Sequence, residues 1–178
     1  MKNPFLIGET VYLRPLELDD LNLCQKWMND PAVRRFISPV RPLNQLAERA
    51  FLEELHRRPD DIIMAIVLRD TDRHIGNTGL HHTNHVDRAA EFGIAIGETD
   101  CWQKGYGTEA TRLMVDYGFN TLNLNRIYLR VHADTPRGMA TYEKIGFRKE
   151  GLMRQARFHD GRYHDVILMG LLREEFRR

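Results

Sequence analysis

The chain has 178 residues, of which 42% are hydrophobic and 29% charged, which suits one globular domain over residues 1–178 and excludes a disordered chain. The formal net charge of +1 gives no general attraction to nucleic acid or to an anionic membrane, so we expect neither as a partner. The two cysteines, Cys24 and Cys101, lack the short spacing of metal sites and suit free thiols in a reducing compartment. The N-terminal segment does not resemble a secretory signal, and no apolar stretch reaches the ~18–20 residues that span a bilayer, so we expect a cytoplasmic protein.

Hydrophobic periodicity and turn residues predict the element order β-α-α-β-β-β-α-β-α-β-β. The N-terminal half contains strand 10–15, a helix that opens at 18–20 with an aspartate N-cap and ends at Pro31, helix 42–58, and strands 62–68, 74–82 and 89–96. The C-terminal half contains helix 105–122, strand 126–133, helix 137–145 closed by Gly146, a strand from Phe147, a turn at Asp160 and Gly161, and strand 166–172. Successive strands with short polar turns indicate an antiparallel meander. The predicted fold class is therefore mixed α+β, with a central sheet and helices on its faces.

A glycine-rich loop precedes the helix at 105–122. Gly105 and Gly107 allow the backbone to approach a ligand closely, and a helix start has free N–H groups and a positive dipole end. Together these features predict a pyrophosphate site. Lys104 would add charge to it, and the Thr108 hydroxyl would either cap the helix or bond to a phosphate oxygen. The alternative is a tight turn with no ligand. The loop lacks the Walker lysine, and Ala110 occupies the place of the third glycine of a dinucleotide fingerprint.

A tyrosine, Tyr142, lies one turn before the helix-ending Gly146. By itself this position favours a core tyrosine whose hydroxyl bonds to a backbone carbonyl. Its place after the glycine loop and the strand at 126–133 is what suggests a function.

Segments along nearly the whole chain resemble the GNAT N-acetyltransferases, and most closely the branch of ribosomal-protein-alanine N-acetyltransferases and spermidine acetyltransferase. The segments are VYLRPL, RAAEFGIAI, WQKGYGTEA, NRIYLRV, YEKIGF and DGRYHDVILM. The resemblance implies a GNAT-type central twisted mixed sheet of about seven strands, splayed between strands 4 and 5, with helices on both faces. These motifs specify the superfamily far better than a substrate.

The resemblance also implies acetyl-CoA as the donor and a primary amine as the acceptor, whether a protein N-terminus, a polyamine or a small molecule. The implied donor contacts are Gln103, Lys104, Gly105, Tyr106, Gly107 and Thr108 for the pyrophosphate, and Ile94, Ala95 and Ile96 for the pantetheine. Trp102 replaces the usual Gln or Arg, and Gln103 replaces a small residue. Because backbone groups bind the donor, we expect little loss from either replacement.

The implied reaction is direct attack of the amine on the thioester, without a covalent enzyme intermediate and without a metal. Tyr142 would protonate the departing thiolate, and backbone N–H groups of the fourth strand would hold the oxyanion. Glu91 would remove the ammonium proton through water; the alternative is that Glu91 pairs with an arginine such as Arg88. Thr135 replaces the family's usual Asn, so its role as helix N-cap and cofactor contact is the main departure from the pattern.

Other polar and aromatic residues allow further readings. His81, His82 and His85 alternate along a strand and so do not converge on a metal; we expect them to line the acceptor side, where a neutral imidazole could take a proton. The aromatic and sulfur side chains of the first helices could form an acceptor wall or simply core; they are Trp27, Met28, Phe36 and Phe51. Acidic residues could attract a polycation, although solvated charges are the commoner outcome; they are Asp19, Asp20, Glu48, Glu53 and Glu54.

Three functions therefore compete. The first is an amine N-acetyltransferase, and the second is a non-catalytic acyl-CoA-binding or sensing module on the same fold, which the Thr135 departure allows. The third is an unrelated nucleotide-binding protein, against which the missing Walker lysine argues. An exposed sheet edge near the C-terminal hairpin would support a homodimer.

Overall fold

The computed structural model describes residues 1–37 and 41–177 and contains one eight-stranded sheet. The strands are β1 (Leu6–Ile7), β2 (Val11–Pro15), β3 (Ile62–Leu68), β4 (His74–Asn84), β5 (Ala89–Ile96), β6 (Arg126–His132), β7 (Arg148–His159) and β8 (Arg162–Leu172). The sheet order is β1-β2-β3-β4-β5-β6-β8-β7. Every pair is antiparallel except β5 with β6, which is parallel.

Helices cover both faces of this sheet. They are α1 (Leu21–Asn29), α2 (Pro31–Arg34), α3 (Gln45–Glu54), α4 (Tyr106–Asn120) and α5 (Pro136–Ile145). The α4 side holds the main core, where Ala110 and Met114 pack with strand residues such as Leu80. The α1 side has a smaller cluster around Trp27 and Val33. Among the described residues, no helix is long and apolar enough to cross a membrane.

The splay of the sheet lies between β5 and β6. Their parallel pairing runs only from Ala89 to Glu91, although β5 continues to Ile96. From Phe92 onward, the edge of β5 that faces β6 has no strand beside it. The predicted splay between the fourth and fifth strands is confirmed. These strands are β5 and β6 of the structure, because β1 precedes the strand that was predicted to be the first.

The structure corrects several element boundaries. Strand β1 was not predicted, because a strand of two residues is too short to show hydrophobic alternation. Helix α3 begins at Gln45 rather than at Pro42, because Asn44 accepts a hydrogen bond from the Ala47 amide and so caps it. Asp20 occupies the predicted N-cap position of α1, at the end of a short 3-10 turn, but its carboxylate accepts from the Glu17 amide and makes no capping hydrogen bond within the described part of the chain.

The C-terminal predictions agree better with the structure. Gly146 ends α5 at φ 117°. Asp160 and Gly161, both at positive φ, turn β7 into β8, and the longer hairpin starts β8 at Arg162 rather than at 166. β7 forms the sheet edge, as expected for the C-terminal hairpin. Cys24 and Cys101 are both free and buried.

Candidate active site

A cavity of about 1140 Å³ opens at the splay. Its lining comes from β5, the glycine-rich loop and the start of α5, from α1, α2 and α3, and from parts of β4, β6 and the β7–β8 hairpin. Every predicted donor contact except Lys104 lines this cavity. We call the loop, the start of α4 and the open edge of β5 the donor side, and we call the part lined by α1 to α3, His81, Glu91 and Arg130 the acceptor side.

The glycine-rich loop turns the chain sharply into α4. Gln103 has φ 64° and Gly105 has φ 88°, a region that favours glycine. The first amide that bonds back within the turn is that of Glu109, to the Gly105 carbonyl at 3.0 Å, so the amides of Tyr106 to Thr108 face the end of the helix. Gly105 occupies the N-cap position, and the Thr108 hydroxyl therefore does not cap α4.

Gly107 faces the open part of β5. A Cβ added there would lie 3.7 Å from Ile96 Cγ1 and 4.0 Å from Ile94 Cδ1. The helix start and the unpaired strand edge are thus direct neighbours. This arrangement offers backbone hydrogen-bonding groups and a positive dipole end within a single cleft.

Trp102 fixes the loop to the end of β5. Its indole Nε1 donates a 2.8 Å hydrogen bond to the Ile96 carbonyl, and its ring contacts Phe36 edge-on at 5.7 Å between centroids. Sequence reasoning treated Trp102 only as a replacement in a motif. No local pattern reveals this anchoring, because it joins the loop, β5 and the segment after α2.

Tyr142 projects from α5 toward β5. Its ring lies edge-on to Phe92 at 6.3 Å and to Phe147 at 5.9 Å. Burial raises the pKa of Tyr142 to about 12, so the phenol keeps its proton at neutral pH. Among residues 1–37 and 41–177, no group hydrogen-bonds its hydroxyl, which disagrees with a purely structural tyrosine tied to a backbone carbonyl.

Glu91 begins the splay and is held by an arginine. Arg130 Nε donates to Glu91 Oε1 at 2.8 Å, and Arg130 Nη2 donates to Oε2 at 3.1 Å. The expected alternative partner, Arg88, instead bonds to Asn123. Arg130 was not predicted as the partner of Glu91, because the register of β6 against β5 cannot be read from the sequence.

Of the three histidines considered, only His81 lines the cavity. It lies opposite Glu91 in the β4–β5 register, and its Nδ1 is 3.6 Å from Asp61 Oδ1. His82 points elsewhere, beside Pro59 and Thr83, as the alternation of a strand requires. His85 is exposed. Burial lowers the pKa of His81 below its ordinary 6.5, although Asp61 acts in the opposite direction.

The aromatic and acidic residues of the first helices divide between core and cavity. Met28, Phe36 and Phe51 line the acceptor side, whereas Trp27 is buried core whose indole donates to Glu98. Glu48 contradicts the expectation of a solvated charge. It is only 4% exposed and lines the cavity, and burial raises the pKa of its carboxyl group.

Asp20 also departs from that expectation, because it belongs to a buried polar network beneath α1. Arg14 donates two hydrogen bonds of 2.7 and 2.8 Å to the Asp20 carboxylate, and His74 Nδ1 lies 3.1 Å from the same carboxylate. His74 Nε2 then contacts Asn77 Oδ1 at 2.8 Å, and the Asn77 amide reaches Cys24 Sγ. The network joins β2, β4 and α1 behind the acceptor side.

Thr135 takes the N-cap position of α5 and lines the cavity, but its hydroxyl makes no capping hydrogen bond. Its methyl group packs toward Gly138 instead. The predicted N-cap position is therefore confirmed without a side-chain cap, and the contact of Thr135 with a cofactor stays a prediction.

A splayed sheet, a helix N-terminus at the splay and a partly buried tyrosine meet in one cavity, an arrangement that suits an acyltransferase. Comparison with known proteins gives the family. Residues 10–148 match the model of the Acetyltransferase (GNAT) domain. The chain belongs to the GNAT acetyltransferase family, and it is an N-acetyltransferase.

Individual relatives agree with this assignment. The uncharacterised N-acetyltransferase p20 of Bacillus licheniformis is 33% identical over 175 residues, which are 96% of this chain and 97% of that protein. Spermidine N(1)-acetyltransferase of Escherichia coli K12 is 32% identical over 169 residues, 95% of this chain and 89% of that one. The crystal structure of spermidine N-acetyltransferase from Vibrio cholerae in complex with CoA and spermine superposes with a TM-score of 0.88 at 27% identity, over 94% of this chain and 98% of that one.

Proposed function

We propose that this enzyme binds acetyl-CoA in the splay and transfers its acetyl group to a primary amine that enters from the acceptor side. The observation that carries the proposal is the end of β5–β6 pairing at Glu91, while β5 continues to Ile96 beside the start of α4. An unpaired strand edge can pair with the amide groups of pantetheine as it would with an added strand. The Vibrio cholerae relative, described with CoA and spermine, supports this donor.

On the donor side, backbone groups carry most of the binding. The pyrophosphate would accept hydrogen bonds from the amides at the start of α4, within the loop from Gln103 to Thr108, and Lys104 would add a positive charge near its rim. The pantetheine would follow Ile94, Ala95 and Ile96, and Thr135 would contact it from the start of α5. A cavity of about 1140 Å³ is large enough for this long ligand together with an acceptor.

The Tyr142 phenol would assist departure of the sulfur. A phenol with a pKa of about 12 is a weaker acid than a thiol of ordinary pKa ~8.5. Its contribution would therefore be a hydrogen bond to the developing thiolate, with a proton passing to the sulfur only as the phenol regains one from the attacking nitrogen. Such help is worth roughly 10²–10⁴ in rate.

The incoming ammonium must lose a proton before its nitrogen can attack. Glu91 and His81 are the titratable side chains that face each other across β4 and β5 on the acceptor side. Either could remove the proton, Glu91 through a water molecule or His81 directly. The walls beside them are largely apolar, formed by Met28, Phe36 and Phe51, and suit an aliphatic amine.

The first test is the thermal stability of the purified protein with acetyl-CoA, with ATP and NAD as controls. A ligand at ~100 times its dissociation constant adds about 2.7 kcal/mol of stability, which is easily measured as a shift in Tm. We expect stabilisation by acetyl-CoA alone. A panel that contains spermidine, an alanyl peptide and a small aliphatic amine then gives thiol release with at least one acceptor. Absence of any shift at saturating acetyl-CoA would contradict the proposal.

A further inference from the structure

The imidazole of His81 lies over a pair of glycines. Gly79 on β4 pairs with Gly93 on β5, and a Cβ at these positions would lie 3.0 Å and 3.2 Å from His81 Nε2. Any larger residue at either glycine would push against the ring. The ring therefore extends from β4 onto β5, so that Nε2 lies over Gly93, the residue before Ile94, where the open edge of β5 begins to face the proposed donor.

The groups around the ring favour a neutral imidazole with a free Nε2. Asp61 faces Nδ1 at 3.6 Å and is itself held by the His82 amide at 3.1 Å. This carboxylate favours the tautomer with hydrogen on Nδ1, which leaves a lone pair on Nε2 of a side chain that lines the cavity. The other titratable groups near the ring are His82 on its own strand and Glu91 on β5. Asp61 and Glu91 would stabilise the imidazolium once it forms.

Glu91 is the poorer proton acceptor of the two. Both of its carboxylate oxygens accept hydrogen bonds from Arg130 in a bidentate pair. A proton added to Glu91 would break a charge-assisted hydrogen bond and leave the guanidinium without its counter-charge. The same protonation at His81 costs no existing hydrogen bond at Nε2.

We propose that His81, rather than Glu91, takes the proton from the incoming ammonium; this inference rests on the proposed function. The ammonium N–H bond breaks, its proton passes to Nε2, and the freed lone pair forms the C–N bond to the thioester carbonyl carbon. The nitrogen in the resulting adduct still carries two hydrogens. As the C–S bond breaks, the sulfur leaves with its electron pair, and a second N–H proton passes to it by way of the Tyr142 hydroxyl, so that the amide and the CoA thiol form. One proton reaches solvent from His81. Glu91 and Arg130 act as a positioning pair for the acceptor and for the imidazolium.

The decisive measurement is the pH dependence of kcat/KM for wild type, His81→Gln and Glu91→Gln, with spermidine or an alanyl peptide as acceptor. Wild type should reach a plateau above a single acidic limb that lies below pH 6.5, because burial lowers the pKa of His81. His81→Gln should lose about 10²-fold at pH 7. Its rate should then climb about tenfold per pH unit toward the amine's own pKa of ~10, because only amine already neutral in solution can react. Glu91→Gln should keep the wild-type profile and lose less than about tenfold.

Two controls separate catalysis from folding. His81→Ala leaves the space above Gly79 and Gly93 open, and added imidazole should restore part of its rate, which a structural role would not allow. His82→Asn changes the neighbouring histidine, which points away from the cavity, at a positive φ that Asn tolerates; it should behave as wild type. All of these variants should keep the stabilisation by acetyl-CoA.

The outcomes are distinguishable. The inference would be overturned if the ratio of kcat/KM between wild type and His81→Gln did not change with pH, or if Glu91→Gln showed the steep pH profile instead. Either result would indicate that Glu91 accepts the proton. A wild type that neither binds acetyl-CoA nor releases thiol would overturn the proposed function and this inference with it.

Discussion

The donor side of the cavity consists mainly of backbone groups, whereas the acceptor side consists mainly of side chains. The donor side uses backbone: the amides at the start of α4, and the open edge of β5 from Phe92 to Ile96. The acceptor side uses side chains from segments far apart in the chain, including Glu48 on α3, His81 on β4 and Arg130 on β6. A backbone site needs only glycines and a helix start, whereas a side-chain site needs particular groups at each position.

This difference has an energetic consequence. The donor side leaves little charge buried, because its polar groups are N–H donors open to the cavity. The acceptor side and its supports hold buried carboxylates. Asp20 bonds to Arg14, His74 and the Glu17 amide, whereas Glu48 has no partner among the described residues. Buried charge without a partner costs stability unless a ligand or a proton neutralises it. Substitutions on the two sides of the cavity test this contrast.

Asp20→Asn should have the largest effect on stability. The substitution leaves the buried Arg14 guanidinium without its carboxylate, which typically costs about 3–5 kcal/mol. Urea unfolding measures this loss directly. Burial opposes ionisation of Asp20, but Arg14 and His74 outweigh it and hold its pKa well below the ordinary value. The stability from this group is therefore complete above the unfolded pKa near 4 and declines as pH falls toward the depressed folded pKa.

The same pH scan supplies the control for Asp20→Asn. The variant should lack the part of the acid-dependent decline that Asp20 contributes. An equal decline in both proteins, or a loss below about 1 kcal/mol, would show that the buried pair contributes little.

Tyr142→Phe should lower kcat by about 10²-fold, with little change in the affinity for acetyl-CoA, because only the proton donor is removed. Steady-state thiol release gives kcat, and the acetyl-CoA-induced shift in Tm gives binding. A non-catalytic binding module would show no turnover in wild type for this substitution to reduce.

Gly107→Leu should weaken acetyl-CoA binding by about tenfold or more, equivalent to about 1.4 kcal/mol. The side chain would enter the gap between α4 and Ile96, where a Cβ alone meets Ile96 Cγ1 at 3.7 Å. Isothermal titration measures the change. Gly151→Leu is the matched control, because a Cβ at that position meets nothing within 4 Å and the residue lies away from the cavity. Equal affinities in the two variants would argue against a donor site at this helix start.

Glu48→Gln should stabilise the free protein by about 1 kcal/mol at pH 7, a small effect in the opposite direction. Burial raises the folded pKa of Glu48 above its ordinary 4.5, so its ionised form destabilises the fold at neutral pH. The advantage of the variant should shrink below pH 4.5, where the carboxyl is protonated in both folded and unfolded states. Thermal unfolding at pH 7 and pH 4 tests both statements, and a less stable variant at pH 7 would contradict them.

Prediction from the sequence succeeded where the pattern is local. The strand 62–68, the glycine loop before α4, Gly146 at the end of α5 and the turn at Asp160 and Gly161 all follow from short-range chemistry. It failed for β1, which is too short, and for the start of α3, where Asn44 caps the helix in place of an expected start at Pro42. The burial of Glu48 and Asp20 was missed because helix periodicity does not show what packs over a face.

The sequence by itself determined the fold, the family resemblance and the place of the donor loop, because glycines, helix starts and strand periods act within a few residues of each other. Only the tertiary structure decided the acceptor side. Arg130 holds Glu91 because β6 lies parallel to β5 for a few residues before the strands part, and Gly79 and Gly93 make room for His81 because their strands are in register. Those contacts join residues that are distant in the chain, and register is set by the packing of the whole sheet rather than by any single segment.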